Sequence, residues 1–247
     1  MSSTPTSDVP QGVFPPTRWS VVLAAARQSS PDSASALEEL CRAYWFPLYA
    51  YVRRCGQSAH DAEDLTQEFF SRLLQKHWLA AADPQKGRLR TFLIVALKKF
   101  MANEWRRASA QRRGGGQLGI PIDTAFAESR FVASPPGALP AEEAFDQQWA
   151  LTLLDLAVNR LHADFSASGK PGDFAALKDT LMAPHGAIDY GAVAVRLGVS
   201  LGAARVAVHR LRKRFREIFR EEISQTLAEG EDVEAEMRHL ASALARE

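Results

Sequence analysis

The sequence predicts an all-α fold: two small helical domains joined by a flexible linker. Three observations carry that expectation. Apolar residues recur at helical spacing through most of the chain, as in Leu65, Phe69 and Leu73, or in Ala204, Val208, Leu211 and Phe215. Gly114 to Pro140, which opens on GGG and holds Pro-bearing turns, breaks that periodicity as a linker does. Tyr190 to Arg216 then reads as two helices about a tight turn at Gly198. The expected division is a disordered 1–16, a first helical domain over 17–113, the linker 114–140, a second helical domain over 141–229 and an acidic helical tail over 230–247.

Composition sets the outer bounds. A length of 247 residues leaves room for two small domains, and the formal net charge of +1 hides strong segregation. Lys86 to Arg113 carries nine basic residues against Glu104, whereas the tail after Glu217 is mostly acidic. Cys41 and Cys55 stand too far apart for a Cys-x-x-Cys motif and suit a reducing cytoplasm. With no basic n-region, no long apolar run and only the short VVLAAA stretch at Val21 to Ala26, the expectation is a soluble cytoplasmic chain without membrane contact.

Met1 to Pro16, rich in Ser, Thr and Pro, is expected to be disordered. Thr17 can cap a helix over Trp19, Val22, Leu23 and Ala26. The next helix, from about Ser33 to Arg54, buries Leu37, Leu40, Cys41, Tyr44, Leu48 and Tyr51, and Pro47 is expected to kink or divide it. Ser58 and Asp61 form an S-x-x-D capping box for the helix that follows. Its core face is Ala62, Leu65, Phe69 and Leu73, so Glu63, Asp64, Gln67, Glu68 and Ser71 point outward. That acidic face reads either as a solvated surface or as a dock for a basic partner.

Lys86 to Arg113 presents a broad apolar face of Leu89, Phe92, Leu93, Ala96, Leu97 and Phe100, and Phe100 reads as core rather than as a stacking ring. Lys98, Lys99, Asn103, Arg106 and Arg107 fall on another side, with Trp105 among them. Cations for phosphates with an interleaved ring for stacking is the pattern a single nucleic-acid strand requires. In the second domain, Phe145, Trp149, Leu153, Leu156 and Leu161 are expected to pack against the helix-turn-helix, and Phe174, Leu177 and Leu181 to add a short helix. The tail keeps Val233, Met237, Leu240 and Leu244 in helical register, as a capping helix or as a partner-binding one.

Within Tyr190 to Arg216 the second helix starts at Ser200, a plausible N-cap, and turns a basic face away from its apolar stripe. Gly202, Val206, His209, Arg210 and Lys213 lie on that face, with Ala203 and Arg205 on its flanks. From Arg196 to Arg216 every charged residue is positive, whereas solvated helices usually mix signs. The reading is a helix-turn-helix whose second helix enters a major groove.

Enzyme readings fare poorly. His60-Asp61 lacks an upstream histidine to complete a metal phosphohydrolase site, and the remaining histidines are scattered. Gly169-Lys170 fails as a phosphate loop, with Asp164 at the leading glycine position and Pro171 where Ser or Thr belongs. Asp61, Glu63 and Asp64 share one helical turn without partners for acid-base work. The expectation is a non-enzyme with no catalytic residues, no metal and no cofactor.

Three stretches in one order resemble the extracytoplasmic-function (ECF) sigma factors, of the sigma-70 type. DAEDLTQEFFSRLL, Asp61 to Leu74, is similar to the polymerase-docking helix of sigma domain two. GRLRTFLIVALKKFMANEWRR, Gly87 to Arg107, is similar to the segment that engages and opens the minus-ten element. YGAVAVRLGVSLGAARVAVHRLRKRF, Tyr190 to Phe215, is similar to the minus-thirty-five reader of domain four. The resemblance implies a factor that binds core RNA polymerase and promoter DNA. Asp61, Asp64, Gln67 and Glu68 would face the clamp helices of the beta-prime subunit. Lys98, Lys99, Asn103, Trp105, Arg106 and Arg107 would meet the minus-ten region. Ser200, Gly202, Ala203, Arg205, Val206, His209, Arg210 and Lys213 would serve the minus-thirty-five duplex.

The chain departs from the family where Lys98, Lys99 and Asn103 stand in place of an Arg-Asn pair and a later Asp. It departs again in LHADFSASGKPGDFAALKDTLMAPHGAID, which resembles the variant domain four of a subgroup with a longer insert and bears on contact with the beta flap. Apolar islands in the linker, Leu118, Ile120, Ile122, Phe126, Phe131 and Val132, are either inert or lie in a polymerase groove. An anti-sigma protein or other regulator is a further expected partner. The competing reading is a stand-alone helix-turn-helix regulator that never touches polymerase.

Overall fold

A computed structural model describes residues 32–75, 78–83, 85, 87–110, 131, 139–228 and 230–245. The lead-in, the helix about Trp19 to Ala26 and nearly all of the linker lie outside the described residues. Among the described residues eight α-helices are bounded, with short 3-10 turns between some of them and no strand. They are α1 (Asp32–Arg54), α2 (Ala59–Gln75), α3 (Leu89–Ala110), α4 (Ala141–Ala167), α5 (Pro171–Leu177), α6 (Tyr190–Leu197), α7 (Leu201–Ser224) and α8 (Val233–Leu244).

Local chemistry explains where several of these begin and end. Ser58 Oγ accepts the Asp61 backbone N–H at 3.1 Å and donates to the Asp61 carboxylate at 2.6 Å, so the expected cap starts α2. Asp189 caps α6 by accepting the Ala192 N–H at 2.9 Å. Pro47 lies within α1, which continues across it to Arg54 rather than dividing there.

Two apolar cores result. The first gathers α1, α2 and α3 around residues such as Tyr44, Leu48, Phe69, Leu93 and Phe100, all fully buried. The second gathers α5, α6 and α7 around Phe174, Val193, Ala204, Val208 and Leu211. α4 joins both. Phe145, Trp149 and Leu153, which the sequence suggested would pack against the helix-turn-helix, belong instead to the first core, where α7 contributes its C-terminal Ile223; Ala157 and Leu161 are buried in the second, with Leu154, Val158 and Phe165 packed against it, and Leu156 is half-buried.

The physical reason is aromatic complementarity. Tyr44 on α1 and Trp149 on α4 stack with ring centroids 4.4 Å apart and planes 13° from parallel. α8 also closes on the first core, with Leu240 fully buried and Val233, Met237 and Leu244 packed against it. Of the linker's apolar islands, Phe131 is described: Arg53 and Arg54 lie over its ring at 4.6 and 5.2 Å, and Tyr49 meets it edge-on.

Trp149 is fully buried, and removing its ring leaves a cavity between α1 and α4. Trp149→Ala should therefore lower unfolding stability by about 3–5 kcal/mol, read from the urea midpoint at unchanged slope.

Candidate nucleic-acid interface

Two cationic surfaces and one acidic one were expected, and each can be built from its helix. α6 ends at Gly198, whose φ of 65° is the left-handed conformation a residue with a side chain rarely adopts. The turn lets α6 and α7 meet at 95°. Ser200 then caps α7 by accepting the Ala203 N–H at 3.3 Å. Burial of Ala204, Val208, Leu211 and Phe215 fixes the roll of α7 about its axis.

The opposite face is consequently outward. Gly202, Ala203, Arg205, Val206, His209, Arg210 and Lys213 are all exposed. Arg205 lies 5.6 Å from the Tyr190 ring centre, which holds the guanidinium at the junction of the two helices. The positive run is not all available, however. Arg212 turns inward and donates to the Thr180 carbonyl through Nε at 2.8 Å and Nη2 at 2.6 Å, and also to the Ala183 carbonyl. Arg214 pairs with Asp164 at 2.8 Å, and that carboxylate raises its already high pKa. Charge sign along the sequence thus marked the helix, and pairing divides it into exposed and anchoring residues.

On α3, burial of Leu89, Leu93, Leu97 and Phe100 turns Lys98, Lys99, Asn103, Trp105, Arg106 and Arg107 outward. Trp105 is 50% exposed, a large ring left at the surface among cations. Phe100 is 1% exposed and is core. Lys98 is engaged from an unexpected quarter: its Nζ lies 2.6 Å from the Glu142 carboxylate at the start of α4. The Lys98 hydrogen bond holds the Glu142 carboxyl below the usual glutamate range. Arg107 pairs with Glu104 at 3.0 Å, and Glu104 also holds Arg72 of α2.

On α2, Asp61 and Asp64 are exposed. Asp61 is partly occupied by capping. Gln67 donates to Glu63 at 3.0 Å, and Glu68 is held by Arg72 at 2.6 Å with only 20% of its side chain accessible. The acidic face therefore offers Asp64 as its most available carboxylate, and Glu68 arrives already neutralised.

Part of the first core matches a known family. Residues 40–111, from α1 through the end of α3, match the model of sigma-70 region 2. This segment is similar to sigma-70 region 2. The match supports a part in polymerase-dependent transcription initiation with core RNA polymerase and promoter DNA as partners. No curated protein and no solved structure matches the chain. No single helix among the described residues is long and apolar enough to cross a membrane.

The match spans Lys98 to Arg107 and the acidic α2, and α4 to α8 lie beyond it. The Lys98–Glu142 pair, which joins the two parts, carried no sequence signal: the partners stand 44 positions apart, and Lys98 reads as a contact to phosphate.

Arg212 and Arg210 provide an internal comparison. Arg212→Ala should speed amide exchange of residues 178–183 at least about tenfold, because two carbonyls lose their donor, whereas Arg210→Ala should leave exchange there unchanged.

Proposed function

We propose that the chain is an ECF-type sigma factor that makes two promoter contacts while bound to core polymerase. The observation that carries this reading is the pairing of a sigma-70 region 2 over 40–111 with a separate helix, α7, whose exposed face is cationic from Arg205 to Lys213. In this reading the α6–α7 pair is a helix-turn-helix and the second core a variant domain four.

Lys98, Lys99, Asn103, Arg106 and Arg107 follow the minus-ten phosphates, and Trp105 stacks on a base exposed by melting. Ser200, Gly202 and Ala203 let the start of α7 approach the minus-thirty-five duplex closely. Arg205, His209, Arg210 and Lys213 meet phosphates or base edges, and Val206 packs on a thymine methyl. Asp61, Asp64, Gln67 and Glu68 form the dock for the beta-prime clamp helices, and domain four approaches the beta flap. Tethering the two DNA contacts raises the effective concentration of the second once the first is made.

Run-off transcription with purified core enzyme should depend on the chain and on promoter sequence; transcription indifferent to it would end the proposal. Asp64→Lys separates this reading from a stand-alone regulator. The substitution should abolish co-purification with polymerase while duplex binding stays intact, and a chain that binds DNA but never polymerase would be the regulator instead.

Arg210→Ala distinguishes readout from clamping. A base contact predicts a loss of about 1–3 kcal/mol on the preferred sequence with relaxed base choice; a phosphate contact predicts equal weakening on all sequences and a salt slope shallower by about one. Unchanged affinity would remove Arg210 from the interface.

A further inference from the structure

The α6–α7 pair carries an apolar surface about its turn that belongs to neither core. Val195 is 83% exposed, Val199 43%, Leu201 48% and Val206 49%. Large hydrophobic side chains gathered at a surface mark a contact, and here the surface has a cationic rim. From Arg196 to Arg216 every charged residue is positive, and Arg205 and Arg210 are exposed.

At about 100° per residue, Arg205 and Arg210 stand roughly 140° apart around the axis of α7, with Gly202 and Val206 in the arc between them. A helix in a major groove turns such flanks toward the two phosphate strands and the middle of the arc toward base edges. The first two turns therefore decide what can be read. From Leu201 to Val208 one polar side chain occurs, Arg205, and it is held 5.6 Å from the Tyr190 ring centre. Ser200, just before them, is engaged in capping. His209 and Lys213 come later, about 10 and 16 Å beyond Gly202 at 1.5 Å per residue.

Readout by hydrogen bonds would put asparagine, glutamine or arginine in the middle of that arc, where bidentate pairs with adenine or guanine form. This helix has glycine and valine there. What a valine methyl can recognise in a major groove is the C5-methyl group of thymine. Gly202 suits the same contact: a Cβ there would meet nothing within 4 Å, so no packing inside the chain calls for a glycine, and the bare backbone is open to close approach from outside.

We propose that α7 reads its duplex through pyrimidine methyl groups rather than through hydrogen bonds: Val206 and, at the tip of the helix, Leu201 pack on C5-methyls, while Arg205 and Arg210 hold phosphate on either side. The inference rests on the two-contact reading above and narrows it to one class of element, a major groove lined by thymine methyls. 5-Methylcytosine presents the same group and is read in the same way. The rim argues for this occupant, since an apolar middle between cations complements a methyl-bearing floor between two rows of phosphates. A second copy of the chain would instead set arginine against arginine.

The test uses the full-length chain, alone and with core polymerase, to recover duplexes from a random pool. Each thymine of the recovered element is then replaced singly by deoxyuridine, which removes the methyl and keeps the base-pair hydrogen bonds. At one or more thymines affinity should fall at least about threefold, the effect of one buried methyl group, and Val206→Ala or Leu201→Ala should bind the thymine and uracil duplexes there equally. Exchanging the same pair for cytosine–guanine and then methylating that cytosine at C5 should restore at least about threefold. Arg205→Ala and Arg210→Ala should weaken both duplexes alike and keep the thymine preference. Both apolar side chains are exposed, so their alanine variants remain folded. An element indifferent to uracil throughout, a preference that survives both apolar variants, a preference lost with either arginine, or methylcytosine no better than cytosine would each overturn the proposal. So would Val206→Ala with full duplex affinity and weakened co-purification with polymerase, which would make the patch a protein contact. Recovery of no duplex in either form would sink the two-contact reading itself, whereas an element insensitive to uracil would remove this inference alone.

Discussion

One helix has to satisfy two cores at once. α4 runs for 27 residues, and a single stripe at four-residue spacing, Phe145, Trp149, Leu153, Ala157 and Leu161, is buried along its length. The near end of that stripe is aromatic and large, matching Tyr44 and the broad face of α1. The far end tapers to Ala157 and Leu161, which lets the smaller helices α5 to α7 approach. Side-chain size along one face thus sorts the rest of the chain into two bodies.

Charge follows the same axis. A chain almost neutral overall keeps its cations on α3 and α7 and many of its acids on α4 and α8, so strong fields form where the helices meet. Where the meeting is dry, as at Arg90 and Glu236, opposite charges fix geometry more than they stabilise it. Where it is wet, as at Arg205, Arg210 and Lys213, the cations stay available to a partner with phosphates. The division between anchoring and outward-facing arginines on α7 is a matter of what lies opposite: Arg212 faces carbonyls and Arg214 faces Asp164, whereas Arg210 is exposed.

Much of this was legible in the residues because it is local. Ser58 with Asp61, Ser200, and Gly198 mark helix ends by chemistry acting within three or four positions, and the apolar stripes of α2 and α7 follow from helical period alone. The outward faces of α3 and α7 came with those stripes. What could not be read was pairing at a distance. Nothing in the periodicity of Phe145 and Trp149 says which body they join, since both bodies offer apolar faces; the Tyr44 ring decides it. Glu236 sits in an acidic tail and reads as solvated, yet it is buried, because the arginines that neutralise it lie some 150 residues earlier in the chain. Glu68 failed to read for the converse reason: Arg72, one turn on, shows in sequence, but the bracing of that arginine by Glu104 does not. Pro47 broke the local rule, remaining inside α1 where burial on both sides of it outweighs one missing backbone donor.

The bend between α6 and α7 depends on one torsion, at Gly198. Few amino acids other than glycine tolerate it, asparagine and aspartate foremost. Natural variation at this position should accordingly be narrow even among relatives whose remaining residues have drifted beyond recognition, which makes it a useful fingerprint for finding distant kin.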